Sequence, residues 1–321
     1  MTTTTSVLNR PKKVNSHRVA VPRRRRPGYH RDALTGFLLV APAVVYFVVF
    51  MVYPAVAALY YSFTDWNLRT HAVWVGLANY RDLFSNGAKY PYFWQSVRVT
   101  LYYTALAVPL TMVTALGQAL LIASIRRGAN LFRLLLFLPM VSAEAAVGVI
   151  WRWLYDPGYG LLNSLLEVFG VPGQNWLNNP PLVVPALALI STWQCGISMI
   201  IYLAGLKSIP AGVREAAIID GANALQRLRY ITIPMLRPTT FYLLVTNVIG
   251  ALQVFAVVYV IFSGAVSGGP QQAGLAYVLH LYLFAFRYDA MGAACAMSFI
   301  LFTIILVVTA LQFRVVRQDN D

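Results

Sequence analysis

Four polar side chains interrupt otherwise apolar runs of this chain: Glu144, Gln194, Asn247 and Gln253. A carboxylate and three amides offer directional hydrogen bonds to a hydroxyl-rich solute. The nearby rings of Trp193, Phe255 and Tyr259 offer flat faces on which such a solute can stack. An ionisable group inside a membrane span is costly to keep there and reads as functional by default. The rival reading of Glu144, close to the start of its run, is a structural pair with a neighbouring chain. Covalent chemistry finds no matching residues. No GxxxxGK[ST], HExxH, CxxC or GxSxG pattern occurs. His17, His30, His71 and His280 are scattered, and His280 reads as a structural histidine before it reads as a solute contact. Cys195 and Cys295 lie in apolar runs without metal or redox spacing, so small core residues are expected. The sequence predicts neither an enzyme nor a bound metal.

A second exception is charged rather than buried. Between Lys207 and Pro238, five basic and two acidic residues are spread over short helical turns. Pro210 suits the first turn of a helix over "AGVREAAIID". Gly221 suits a left-handed cap that ends it. "ANALQRLRY" then starts a second short helix, which Pro234 and Pro238 are expected to break. Ala216 and Ala217 are small enough to admit another surface, with Ile218, Ile219 and Leu225 as an apolar knob. Arg214 and Glu215 flank that knob with charge. Docking into another protein and lying on a membrane surface without a partner are both open on these grounds.

The elements that must carry these residues follow from composition. The chain of 321 residues is 59% hydrophobic and 11% charged, against about 25% charged in a soluble domain. That excludes a water-soluble globule. Six runs approach the ~20 residues needed to cross a bilayer: Ala33–Tyr53, Val99–Ile125, Leu134–Trp151, Leu182–Leu206, Thr239–Phe262 and Ala290–Phe313. Leu275–Phe286 is too short and suits a re-entrant or interfacial piece. With these spans, 19 of the 25 Lys and Arg residues fall on one side and six on the other. The positive-inside rule then makes both termini cytoplasmic. Most of the +14 net charge is this bias. The "PRRRRP" cluster immediately before the first run reads as a topology anchor on anionic lipid, not a nucleic-acid arm. Residues before Val19 read as disordered. The first run is long and starts late, so it is expected to stay as an anchor rather than leave as a signal peptide. Trp66, Trp74, Trp94, Trp151, Trp153 and Trp176 are expected in interfacial belts. "VGLANYRDLF" suits a small helix in the long connection Pro54–Arg98, a surface on which an external partner could rest.

The spacing Glu215-Ala216-Ala217, Gly221, Ile231-Thr232-Ile233-Pro234 resembles the EAA loop of permease subunits in binding-protein-dependent ABC importers. Ile233 stands where that family usually has Leu, with the apolar role kept. "YYSFTDW", "FRLLLFLPMVSAEAAVGVIWRWLYDPGYGLLN" and "FSGAVSGGP" are similar to the carbohydrate-uptake branch, the maltose and glycerol-phosphate permease type; the last departs from a Thr-Gly-Gly-Gly-Pro-like form. The resemblance covers about Leu38 to Val316.

It implies an all-α integral membrane fold of type I importer architecture, with six transmembrane helices and a cytoplasmic coupling helix between helices 4 and 5. The implied domains are a basic tail (1–32), a permease domain (33–316, its core about 95–313) and a short C-terminal tail (317–321). The implied partners are a second homologous permease, two ATPase subunits that carry ATP and Mg, an extracytoplasmic solute-binding protein and membrane lipid, with no nucleic acid. The implied location is the inner or plasma membrane of a prokaryote. Arg214, Glu215, Ala216, Ala217, Asp220, Gly221, Ile231 and Pro234 become the ATPase-coupling residues. Two other classes compete: a carrier driven by an ion gradient, and a membrane scaffold that transports nothing. Against the carrier stand the shortage of embedded carboxylates beyond Glu144 and the lack of a visible inverted repeat.

Overall fold

The computed structural model describes residues 29–85, 89–125, 127–262 and 268–318, with side chains described from Gly36 to Val315. The basic tail before Tyr29, with its expected disorder and its anchor cluster, lies outside these residues, as does the whole of "SGAVS". The chain divides into two compact units, Met1–Ala55 and Val56–Asp321.

In the first unit α1 (Tyr29–Phe47) runs into a π-helical turn, Val48–Val52, and α2 begins at Tyr53 (Tyr53–Ser62). The π turn stands just before Pro54. Proline brings no N–H and its ring crowds the carbonyl four residues back. Widening the register by one residue relieves that clash, and the Tyr53 N–H bonds to Val48 O instead.

Among its described residues, the regular structure of the second unit is helical apart from one two-stranded antiparallel ribbon, β1 (Thr64–Asp65) with β2 (Val73–Trp74), in register Thr64 to Trp74. Its helices are α3 (Ala78–Phe84), α4 (Phe93–Ser124), α5 (Ala129–Val141), α6 (Glu144–Leu154), α7 (Leu161–Val168), α8 (Pro180–Trp193) and α9 (Gly196–Ser208). They continue as α10 (Ala211–Ile219), α11 (Ala224–Arg227), α12 (Ile233–Met235), α13 (Arg237–Leu252), α14 (Ala256–Ile261), α15 (Tyr277–Phe286) and α16 (Met291–Gln318). Among the described residues four helices are long and apolar enough to cross a membrane: Gly36–Ser62, Phe93–Ser124, Arg237–Ile261 and Met291–Val315. Two further pairs pass the same test only when joined across a bend, α5 with α6 at 98° and α8 with α9 at 50°.

The 98° bend corrects the expectation of one uninterrupted run over Leu134–Trp151. Ser142 and Ala143 take extended backbone, ψ 140° and 132°. Two successive extended residues end one helix and let the next start in a new direction. At the second bend, Gly196 lets α5 cross: a Cβ there would meet Leu136 O and Phe137 Cα, both at 3.1 Å. α15 is the short apolar helix expected near Leu275–Phe286.

Packing depends on small residues. Ala107, Thr111, Ala115 and Ala119 form a buried stripe along α4 at every fourth position, so neighbouring backbones approach closely, as dispersion-driven packing in lipid favours. Met199, Tyr202, Leu203 and Leu243 fill the inner end of this contact. Val147, Trp151, Val183, Val258 and Leu279 form a second cluster. Phe93, Tyr277, Phe284 and Met297 belong to a third.

Two buried asparagines staple connecting segments between helices. Asn79 donates to Ser62 O and Thr64 O at 3.0 and 2.8 Å. Asn163 donates to Gln174 O at 2.9 Å and accepts from Trp176 Nε1 at 2.8 Å. Trp176 is thus a structural hydrogen-bond donor, and Trp151 is buried against Tyr155 with centroids 5.2 Å apart. Neither is the free interfacial anchor that its sequence position suggests.

Candidate functional site

A cavity of about 370 Å³ opens among α4, α5, α6, α8, α9, α13 and α14. Glu144, Gln194 and Asn247 all line it, so three of the predicted polar residues meet although more than 100 positions separate the first from the last. Each is placed by a local break or a local anchor. Glu144 is the first residue of α6, just past the 98° bend. Its charge faces the positive end of that helix, and no described residue pairs with it. It is therefore a carboxylate at a helix entrance, directly beside the bend. Gln194 sits at the α8–α9 bend with φ −87° and ψ 16°. Asn247 is held on α13 by Nδ2 donating to Leu243 O at 2.8 Å and to Ser198 Oγ at 3.2 Å, which turns its amide carbonyl oxygen out as an acceptor.

The other predicted contacts do not line this cavity. Val254 and Val257 present that stretch of chain to the cavity. Phe255 and Tyr259, four apart on one helical face, turn elsewhere. They stack at 5.4 Å and pack on Tyr282 of α15 at 5.1 and 5.3 Å. Gln253 caps the end of α13 and is exposed. Trp193 packs edge-on against Trp151 at 5.8 Å. His280 is buried beside Ser96 Oγ at 3.2 Å, the structural role expected.

The sequence reading missed the hydroxyls. Tyr103, Thr111, Ser191, Ser198, Tyr242 and Thr246 complete the polar wall. Tyr103 and Ser191 share a hydrogen bond across α4 and α8. Cys195 also lies on the wall, its thiol donating to Gln118 Oε1 at 3.3 Å. A legible signal existed: Ser191, Gln194 and Ser198 follow one another at spacings of three and four, and Thr246 follows Tyr242 by four, which puts each set on one helical face. The cavity can hold a small hydroxylated or charged solute by many neutral hydrogen bonds and one carboxylate. Among the described residues no group of His, Cys, Asp and Glu could hold a metal.

The charged segment folds as a helical hairpin. Pro210 is the N-cap of α10, one position earlier than expected, with ψ 135°. α10 ends in a Schellman arrangement. Gly221 takes φ +78°, its N–H bonds to Ile218 O at 3.0 Å, and the Ala222 N–H bonds to Ala217 O at 2.9 Å. Asn223 and Gln226 then form a reciprocal capping box that starts α11. Arg227 closes the turn by donating to Ala222 O.

Two expectations are corrected here. Pro234 does not break the helix it enters; the break before α13 falls two residues on, at the Leu236 turn (φ −85°, ψ −1°). A π turn at Leu228–Thr232 precedes Pro234, as one precedes Pro54, and the Ile233 N–H bonds to Leu228 O. Pro238 falls in the first turn of α13, where no N–H is needed. Ile231 is half-buried in the π turn. The second correction concerns which side chains face outward. Ala217 is buried inside the chain at 7% exposure, and Arg214 turns back to donate to Leu206 O in the last turn of α9. That leaves an outward surface of Ala216, Glu215, Asp220, Ile218 and Ile219, with Ile219 85% exposed. No described residue pairs with the Glu215 carboxylate.

Residues 24–318 match the family described as "Binding-protein-dependent transport system inner membrane component". The chain is similar to the probable ABC transporter permease protein YesP of Bacillus subtilis (strain 168), 38% identical over 88% of this chain and 91% of that one. It is 31% identical to the arabinooligosaccharides transport system permease protein AraP of the same organism, over 87% of each. Similarity to the sn-glycerol-3-phosphate transport system permease protein UgpA of Yersinia pestis bv. Antiqua (strain Antiqua) is 32% over 91% and 97%. The fold is like that of a bacterial ABC transporter involved in the import of the acidic polysaccharide alginate, with TM-score 0.74, 21% identity and 90% and 96% of the chains covered.

Proposed function

The chain belongs to the binding-protein-dependent inner membrane component family, as a multi-pass ABC importer permease and not an enzyme, and we propose that its cavity is its half of the path for a carbohydrate or glycerol-phosphate solute. The observation that carries this is the convergence of Glu144, Gln194 and Asn247 with six hydroxyl side chains in one cavity. Relatives named for arabinooligosaccharides and sn-glycerol-3-phosphate support the solute class.

In this reading each bent pair is one span, which makes six, and the distribution of Lys and Arg puts both termini in the cytoplasm. The permease domain then runs over 33–316 between a basic cytoplasmic tail and a short C-terminal one. α10 is the coupling helix. Glu215, Ala216, Asp220 and Ile219 enter a cleft on an ATPase subunit, while Gly221, Arg214, Arg227, Ile231 and Pro234 hold the hairpin rigid enough to transmit its displacement. A second permease completes the path, two ATPases carry ATP and Mg, and an external binding protein delivers the solute. The chain itself needs no cofactor.

Movement follows from the joints. The breaks at Ser142–Ala143 and Gln194–Cys195 flank Glu144 and Gln194, so a change in either bend moves a wall of the cavity. The direct test is uptake by proteoliposomes carrying the complex purified from its source membrane, with labelled arabinotriose and glycerol-3-phosphate as probes. Uptake should persist under a protonophore and stop when ATP is withdrawn. An absent ATPase subunit after detergent purification, or uptake that follows the proton gradient, would overturn the reading.

A further inference from the structure

A second, larger cavity of about 570 Å³ lies away from the first, lined by Leu59, Phe84, Val97, Phe299, Ile300 and Ile304 among others. The donors of its three polar lining groups are already engaged. Tyr80 OH donates to Ser62 Oγ at 2.8 Å, Trp94 Nε1 to Phe84 O at 3.0 Å, and Thr303 Oγ1 to Phe299 O at 2.8 Å. With every donor engaged, only two hydroxyl oxygens remain as acceptors, so water and sugars gain little by entering. A hydrocarbon chain loses nothing.

Charge specifies the rest of the occupant. Arg98 lies one residue beyond Val97 and one turn beyond Trp94, both of which line the groove. Its Nε donates to Trp94 O at 3.4 Å, which draws the side chain back toward the start of α4. No described carboxylate pairs with it, and its terminal nitrogens make no described bond. Phe299 to Ile304 lie about 12–20 Å along α16 from its first residue, at ~1.5 Å per residue. Arg98 thus adds a cation beside the indole at the rim of an otherwise apolar groove. That is the profile of an anionic amphiphile that lays one of its tails in the groove.

We propose that this groove is a binding site for an anionic glycerophospholipid, with an acyl chain against Val97, Phe299 and Ile304 and the phosphodiester on Arg98. The leaflet is the outer one under the topology proposed above; the site itself does not depend on transport.

The test reconstitutes the permease with its partner subunits in bilayers containing phosphatidylglycerol or phosphatidylcholine, each carrying the same diazirine-bearing acyl chain. After illumination, adducts are mapped by mass spectrometry. Phe302 and Leu306, exposed on α16 and not part of the groove lining, report ordinary lipid contact. Labelling at Val97, Phe299 and Ile304 should favour phosphatidylglycerol by about fivefold, the preference one arginine gives at an anionic surface, with no such preference at the control positions. Arg98→Gln should bring the groove ratio to that of the controls. Ile300→Trp, which fills the groove, should remove labelling there by both lipids. An equal ratio in the unaltered protein, meaning adventitious annular contact only, overturns the site. So does an unlabelled groove, which would mean that a protein neighbour covers it, and so does a preference that survives Arg98→Gln. None of these readings passes through uptake, so failure here and failure of the importer reading are separable.

Discussion

The α10–α11 hairpin and the polar cavity are both exceptions in an apolar chain, and they treat their polar groups in opposite ways. In the hairpin, polar groups within about five residues of one another satisfy each other: Asn223 with Gln226, Arg227 with Ala222 O, Gly221 with Ile218 O. What remains outward is a small apolar face, Ala216, Ile218 and Ile219, flanked by the carboxylates of Glu215 and Asp220. In the cavity, polar groups come from elements far apart in sequence, and several are tied across helices, Asn247 to Ser198 and Tyr103 to Ser191. What remains there points inward. A self-contained handle can move as one body. A wall made of separate helices changes shape when any of them moves.

That contrast predicts a ranked set of failures. The largest belongs to Gly221→Val. A β-branched residue at φ +78° carries a left-handed penalty of ~1–2 kcal/mol or more, and the turn that aims α10 is lost. ATP-driven uptake should fall to background while membrane insertion, read by protease protection, is unchanged. Retained uptake would show that the hairpin turn is dispensable.

Next comes Glu215→Ala, which leaves the fold intact because the carboxylate has no internal partner. ATPase co-purification and uptake should drop about tenfold, comparable to losing one charged contact of ~1.5 kcal/mol. An unchanged ATPase yield would place the contact elsewhere on the hairpin.

Arg214→Ala probes the tie to α9 rather than the docking surface. Here ATP hydrolysis should continue at a near-normal rate while solute moved per ATP falls several-fold. Equal losses in hydrolysis and uptake would instead mark Arg214 as a docking residue.

The cavity should respond more gradually. Asn247→Ala removes a neutral hydrogen bond to solute of ~1 kcal/mol, so KM for uptake should rise about fivefold with basal ATP hydrolysis unaltered. Ser198→Ala, which only supports Asn247, should raise KM by no more than about twofold. A larger effect from Ser198 than from Asn247 would reverse their roles.

The two regions also differ in how far the residues announced them. The hairpin was largely legible, because a left-handed glycine and a proline start are set by neighbours a few positions away; the equally local capping box of Asn223 and Gln226 was passed over. Its facing was misjudged: nothing local says that Arg214 reaches back to Leu206 O or that Ala217 is inside. The prolines were misread for a related reason. A π turn before Pro54 and before Pro234 removes the clash that would otherwise end the helix, and hydropathy carries no sign of it. In the cavity, the amides and the carboxylate were visible as anomalies, yet the rings expected beside them were not there. The chain turns irregular over Gln253 to Phe255 between α13 and α14, and Phe255 and Tyr259 pack against α15 instead.

Sequence by itself determined that this chain is a membrane protein, roughly where its spans lie, and that a compact charged handle separates two of them. Those properties depend on transfer free energies and on hydrogen bonds between near neighbours, and both can be summed along the chain. Only the tertiary structure decided which polar side chains share a cavity, which face of the handle is open, and that an apolar groove lies between α4 and α16. These depend on bend angles and on the helical face that each residue occupies. A two-residue stretch of extended backbone at Ser142–Ala143 is enough to redirect a helix by 98° without any change in hydropathy.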